Sequence, residues 1–147
     1  MTGSLKDAVA AFRASGDGTG LQALIPYARF VGFSTVADPA GGVLTTLESR
    51  PTNIGNVIIP AVHGGVVGAL LEHAAIMELL YQMRPDRLPK TINVSIDYLR
   101  PCLARHDTVA KATVVKQGKR IANVRVEAFQ EDRNRLVAAA HAHFLLG

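Results

Sequence analysis

The sequence predicts an α+β domain in which one long helix is covered by a wrapped antiparallel sheet. Three observations carry that expectation. First, residues 63–81 hold good helix formers and no proline, and are apolar nearly all round, with Val66, Val67, Leu70, Leu71, Ala74, Ala75, Ile76, Met77, Leu79 and Leu80. A helix apolar on every face is buried inside something. In a chain of 147 residues, only a wrapping sheet covers ~28 Å of helix at 1.5 Å per residue. Second, residues 91–98 alternate without fault, with Ile92, Val94, Ile96 and Tyr98 on one face and Thr91, Asn93, Ser95 and Asp97 on the other, the period of a strand. Third, runs of strands stand on both sides of the helix, which is α+β ordering.

The elements follow in chain order. Residues 5–14 place Leu5, Val9 and Phe12 at helical spacing. A glycine-rich break covers 15–20, and 21–28 contains a further helical turn with Ile25 and Pro26. Residues 30–37 read as a strand, 38–42 (DPAGG) as a turn and 43–48 as a second strand. Residues 49–61 read as a loop punctuated by Pro51, Asn53, Gly55, Asn56 and Pro60. After the helix and the 91–98 strand, further strands are expected at 108–117, 119–130 and 135–146. Gln117-Gly118 and Asp132-Arg133-Asn134 joints between them are short enough for hairpins. The reading is a single domain over 1–147 with a helical N-terminal extension at about 1–24 and no internal repeat.

Hydrophobic residues are 48% and charged residues 19% of the chain, which excludes a disordered segment. The one cysteine, Cys102, permits no intrachain disulfide, and a reducing, cytoplasmic setting is expected. No secretory signal is visible at the start. The most apolar stretch, 62–80, is interrupted by His63, Glu72, His73 and Glu78, so no membrane span is expected. Formal charge is +4, unevenly placed: residues 1–83 carry four basic and six acidic side chains, residues 84–147 twelve and six. With 5% aromatics, no tryptophan and no Lys/Arg run, the basic half points away from nucleic acid and toward an anionic small molecule.

Candidate chemistry concentrates at VHGGVVGALLEHAA, 62–75. Gly64 and Gly65 in a first helical turn cost up to ~1 kcal/mol each against alanine. Either they let free N–H groups at a helix N-terminus approach and polarise a carbonyl, or they let another segment cross closely. Glu72 is a carboxylate on an otherwise apolar segment, and is either a general base or nucleophile in a cleft or a residue facing solvent or an interface. His63 suits a base or, better, a cap or orienting role. His73 suits a solvent or intersubunit contact. His141 and His143 share a strand face without a third metal ligand at suitable spacing, so no metal is expected, and Cys102 reads as a structural thiol. Arg100, Arg105, Lys116, Lys119 and Arg120 fall near strand ends or the Gln117-Gly118 turn, where they meet either phosphate or water.

Taken together, HGG at 63–65 with a carboxylate nine positions after the histidine, IPYARFVGF at 25–33, DYLRP at 97–101, VVKQGKRIANVRVEAF at 114–129 and LVAAAHAHFLL at 136–146 resemble the hotdog-fold acyl-CoA thioesterases of the phenylacetate-degradation type. The resemblance spans roughly 25–146. It implies a long helix wrapped by a curved sheet, a homodimer or homotetramer with sites at the subunit interface, acyl-CoA as substrate, and no cofactor. It assigns the oxyanion donor to a backbone N–H of the HGG turn, here placed at Gly65 with Gly64 beside the substrate, and the base or nucleophile to Glu72, often acting from the partner subunit. Arg100, Lys119 and Arg120 are then expected to meet the CoA phosphates. Two departures stand out. The branch commonly has Asn six residues before the histidine, where this chain has Val57, with Asn56 one position back as a substitute. It also more often has Asp where Glu72 stands. Rival readings are a hotdog hydroxyacyl dehydratase or hydratase, and a non-catalytic acyl-CoA-binding protein.

Overall fold

The computed structural model describes residues 3–83 and 87–147. Three short helices, α1 (Gly3–Ser15), α2 (Thr19–Gln22) and α3 (Pro26–Val31), lead into strands β1 (Phe33–Ala37) and β2 (Val43–Leu47). A small ribbon, β3 (Ile54–Asn56) with β4 (Ala61–Val62), precedes the long helix α4 (Gly64–Gln82). Four long strands finish the chain: β5 (Lys90–Tyr98), β6 (Thr108–Gln117), β7 (Ile121–Phe129) and β8 (Leu136–Leu145). The main sheet runs β1-β2-β6-β7-β8-β5, with every neighbouring pair antiparallel. It wraps α4, the hotdog arrangement.

The wrapping explains why α4 is apolar all round. Leu70, Leu71, Ala75 and Leu79 are fully buried against Ala110, Val124, Ala138 and Phe144 of the sheet. Leu80 and Met77 turn the other way and meet Val9 and Phe12 of α1, Leu21 and Val43. The N-terminal helices therefore close the core rather than trail from it. Among the described residues, α4 alone meets the length and hydropathy requirements of a membrane span, but it is mostly covered inside the fold. Its C-terminal carbonyls are satisfied by Arg13, whose Nε donates to Leu80 O at 2.6 Å and Nη2 to Met83 O at 2.5 Å.

Two expected boundaries are corrected. The strand predicted from residue 30 starts at Phe33, because Phe30 and Val31 close α3. Gly32 ends that helix in the left-handed region at φ 90°, its N–H donating to Ala28 O. The loop predicted at 49–61 contains the β3–β4 ribbon, two strands too short to leave a periodic signal.

His73 is also corrected. It does not lie open to solvent; it is 8% exposed and stacks on the Phe33 ring at 4.9 Å between centroids. Desolvation pushes its pKa down to about 4. The sheet's outer edge is β5, where only Val94 and Ile96 are half-buried and the other seven residues are exposed.

Candidate active site at the start of the long helix

His63 is the N-cap of α4, at φ −57° and ψ 132°. Its Nδ1 accepts the Gly65 N–H at 2.9 Å, and its carbonyl accepts Val66 N–H at 2.9 Å and Val67 N–H at 3.2 Å. Two of the four N–H groups that a helix start leaves unpaired, those of Gly65 and Val66, are thereby used. The Gly64 N–H makes no hydrogen bond among the described residues. The Gly65 amide, expected as the oxyanion donor, is therefore held by the cap, while the amide one residue earlier is open.

Neighbouring elements hold the turn. The His63 N–H donates to Asn53 O at 2.8 Å, and buried Asn53 donates from Nδ2 to Val31 O at 2.8 Å. Gly55 lies so close that a Cβ there would stand 2.6 Å from His63 Cα. Tyr98, at the end of β5, donates its hydroxyl to the Gly64 carbonyl at 2.8 Å. No segment crosses tightly at the two glycines: a Cβ on Gly64 would stand 3.5 Å from Tyr98, and one on Gly65 would meet only the His63 ring at 3.0 Å among the described residues, while the Gly64 amide is free at the positive end of the α4 dipole. Sequence reasoning passed over Asn53, Gly55 and Tyr98 as site residues. Tyr98 was legible as the last apolar-face residue of an alternating strand, though not its partner.

Gly64 lines a cavity of about 370 Å³ together with Ile59, Val62, Val67, Tyr98, Leu99 and Cys102 among others. Its walls are mostly apolar. Cys102 is structural, as expected: it is buried, contacts Thr108 Oγ1 at 3.1 Å, and burial pushes its thiol pKa up. A second cavity of about 480 Å³ adjoins the first through Arg100, Pro101 and Val137.

Other expected site residues are scattered. Glu72 is half-buried and makes no ion pair or side-chain hydrogen bond among the described residues. It lies two turns along α4 from Gly64, about 12 Å at 1.5 Å per residue, so one chain does not bring the two onto one carbonyl. Asn56 spends its Oδ1 on the N–H groups of Ile58 at 2.9 Å and Ile59 at 3.3 Å, a local turn, and Val57 is 82% exposed. Arg100 is parted from Lys119 and Arg120. Tyr98 pairs with Ala138 at one end of β8, whereas Ile121 pairs with Leu145 at the other, roughly 23 Å away at 3.3 Å per residue. One chain's Arg100 and 117–121 hairpin do not grip the same phosphate. His141 is exposed, His143 Nδ1 contacts Asn93 Oδ1 at 2.7 Å, and no group of three metal-ligating side chains gathers among the described residues.

Comparison with known proteins fits this geometry. A curated relative from Salmonella typhimurium, the medium/long-chain acyl-CoA thioesterase YigI, is 26% identical over 137 residues, covering 84% of this chain and 86% of the relative. A crystal structure of a Chromobacterium violaceum protein superposes with TM-score 0.74 at 34% identity, covering 96% of this chain and 97% of that one. The BH2602 protein of Bacillus halodurans, solved with CoA, gives TM-score 0.72 at 23% identity over 98% of this chain and 89% of its own. The profile of the thioesterase superfamily matches residues 60–137, from the ribbon before the HGG turn to the start of β8. The chain belongs to the thioesterase superfamily.

Proposed function

We propose that this protein hydrolyses acyl-CoA thioesters to the free acid and CoA. The observation that carries the reading is the unspent Gly64 N–H, at the positive end of a 19-residue helix and on a residue that lines an apolar cavity. A thioester oxygen placed on that amide gains a preorganised donor just where negative charge develops. The Tyr98 hydroxyl on the Gly64 carbonyl fixes the peptide that carries it.

Glu72 supplies the carboxylate, from a second subunit. It removes a proton from water as the water oxygen adds to the acyl carbon, after which the carbon–sulfur bond breaks; or it adds to that carbon itself, expelling the CoA thiolate and leaving an acyl–Glu72 anhydride that water then hydrolyses to the free acid. In both routes the CoA thiolate takes up a proton. The two-turn separation within one chain demands the second subunit. Two surfaces support it: the exposed β5 edge with Ile92 and Tyr98, and the α4 face of Gly65, Gly68, Glu72 and Ile76, which the chain's own sheet leaves incompletely covered. His63 acts as cap and orienter. Its Nδ1 is committed to the Gly65 amide, which argues against the dehydratase reading, where a histidine must be free to take an α-proton. The relatives' name and the apolar cavity point to medium or long acyl chains.

The test is a thiol-release assay over a panel of acyl-CoAs with wild type and Glu72→Gln, which keeps shape and removes the charge. Turnover is expected to fall by ~10²–10⁴ in the variant, with an unchanged circular dichroism spectrum. No thiol release from any acyl-CoA would reject the hydrolase; near-wild-type turnover in the variant would remove Glu72 from the mechanism.

A further inference from the structure

The end of the main sheet away from the candidate active site carries a cluster of unpaired cations. Lys90 opens β5 and pairs in register with Leu145 of β8, which pairs on its other side with Ile121 of β7. With neighbouring strands about 4.8 Å apart, Lys90 and Ile121 stand roughly 10 Å from each other. Arg120 precedes Ile121, and its carbonyl accepts the Leu146 N–H at 2.8 Å. Lys119 is beside it in the β6–β7 hairpin, and Lys116 pairs with Asn123 across that hairpin. Arg87 lines a small cleft together with Lys90 and Leu145. All five basic residues are exposed, and none forms an ion pair among the described residues.

Nothing on these strands balances the charge. β6 and β8 contain no carboxylate, and the nearest on β5 and β7 are Asp97 and Glu127. At 3.3 Å per residue they lie roughly 23 Å from Lys90 and roughly 20 Å from Ile121 along their strands. That is beyond the ~8–10 Å over which exposed charges act at physiological ionic strength. Glu127 is in any case paired with Arg125 at 2.8 Å. Protection of a sheet edge accounts for Lys90 on β5, an edge strand, but not for the hairpin cations, since β6 and β7 are interior strands. The same corner exposes apolar side chains: Leu88, Val115 and Ile121 are 38%, 59% and 48% exposed. A bulge between Val114 and Lys116 breaks the alternation of β6, so that Val115 and Lys116 are both exposed.

We propose that this corner of the sheet is a docking surface for an anionic lipid bilayer. Clustered cations alone suit any polyanion. The apolar side chains set between them select the lipid surface: they enter the boundary between headgroups and acyl chains while the ammonium and guanidinium groups stay among the lipid phosphates. The contact needs both contributions, because a weak apolar anchor holds a protein on a membrane only when a basic patch adds to it. The candidate active site stays clear of the surface. Tyr98, which holds the Gly64 carbonyl, is eight residues along β5 from Lys90, roughly 26 Å away.

The experiment is flotation of the full chain, without substrate, on vesicles of phosphatidylcholine with phosphatidylglycerol and on vesicles of phosphatidylcholine alone. Wild type is expected to float with the anionic vesicles only and to be released as salt is raised. Lys90→Gln/Lys116→Gln should lower the partition coefficient about 25-fold, some fivefold for each cation removed, and flatten the salt dependence. Ile121→Ser should weaken binding at every salt concentration and leave the salt dependence as it is. All three positions are exposed, and circular dichroism checks the fold of each variant. No flotation of wild type on anionic vesicles, equal flotation on neutral ones, or wild-type binding by the charge variant would overturn the proposal. Release by stoichiometric free CoA would overturn it by assigning the cations to a nucleotide. Binding to polyglutamate that matches vesicle binding and ignores Ile121→Ser would overturn it in favour of an acidic macromolecule. Because flotation uses no substrate, failure of the hydrolase reading leaves the docking surface standing, and failure of flotation leaves the hydrolase reading standing.

Discussion

His73 shows what burial does to a group that sequence alone leaves ambiguous. Its ring is stacked on Phe33, its Nε2 finds no hydrogen-bond partner, and its pKa is pushed from 6.5 down to about 4 by desolvation. The folded state therefore keeps it neutral where the unfolded chain protonates it. Between pH 6.5 and 4 the unfolded state binds more protons, so stability falls as pH falls. The full effect, reached below the folded pKa, is about 3 kcal/mol at 1.36 kcal/mol per pKa unit. Denaturant midpoints measured across that window should fall in the wild type, and His73→Leu should flatten the fall. An identical slope in the variant would assign the acid sensitivity to other groups. His63 was legible as a cap, because a polar residue directly before two glycines and an apolar run stands where helix starts need an acceptor. The choice between the Gly64 and Gly65 amides was not legible, since it turns on where the His63 ring points. Glu72 stood out as a carboxylate in an apolar run, yet Glu78, six residues on, is the one that is buried, at 1% exposure. Residue type and spacing do not distinguish them; the sheet and turn above each do.

Glu78 belongs to the element scale because it ties three elements together. Its Oε2 accepts the Val43 N–H at 2.9 Å where β2 begins, and its Oε1 accepts from Gln82 Nε2 at 3.0 Å within α4. Lys111 of β6 stands 3.7 Å from Glu78 Oε1 and 3.3 Å from Asp38 Oδ2, and also donates to the Gly41 carbonyl. Burial pushes the Glu78 pKa up while Lys111 pulls it down. Gly42, at φ 70°, is required above it, because a Cβ there would stand 2.1 Å from Glu78 Oε1. Removing the cation strands a buried carboxylate, and such losses cost about 3–5 kcal/mol. Lys111→Met should lower stability by that order in chemical denaturation, and adding Glu78→Met should recover part of it. If the double variant is less stable than Lys111→Met by the full cost of losing Glu78's hydrogen bonds, the ion pair is not what holds these strands to the helix. The strands and the long helix were readable from period and length. The α3–β1 boundary was not, because an apolar run crosses it and only the left-handed Gly32 marks the break. The β3–β4 ribbon was hidden by being two to three residues long.

At the scale of the whole molecule, the decisive geometry is a distance inside one helix. Gly64 and Glu72 belong to one rigid rod and are held about 12 Å apart along it, farther than a glutamate side chain reaches. On the proposed reading, the open Gly64 amide and the Glu72 carboxylate of one helix make a single site only when a two-fold axis brings the partner's Glu72 to each Gly64. The exposed β5 edge beside them offers the surface on which such an axis would pass. That composition can be tested without a structure of the assembly. Gly64→Pro deletes the donor at the first helical position, where proline is well tolerated. His63 before it already has the extended φ −57°, ψ 132° that a residue preceding proline prefers, and an added Cβ comes no closer than 3.5 Å to Tyr98. Gly64→Pro and Glu72→Gln should each be nearly inactive when pure. Mixed in equal amounts, after subunit exchange, they should regain about a quarter of wild-type activity, since half the dimers are mixed and each carries one intact site. Failure to regain activity, with exchange verified by differently tagged subunits, would place both groups of a working site in one chain and would contradict the geometry of the helix.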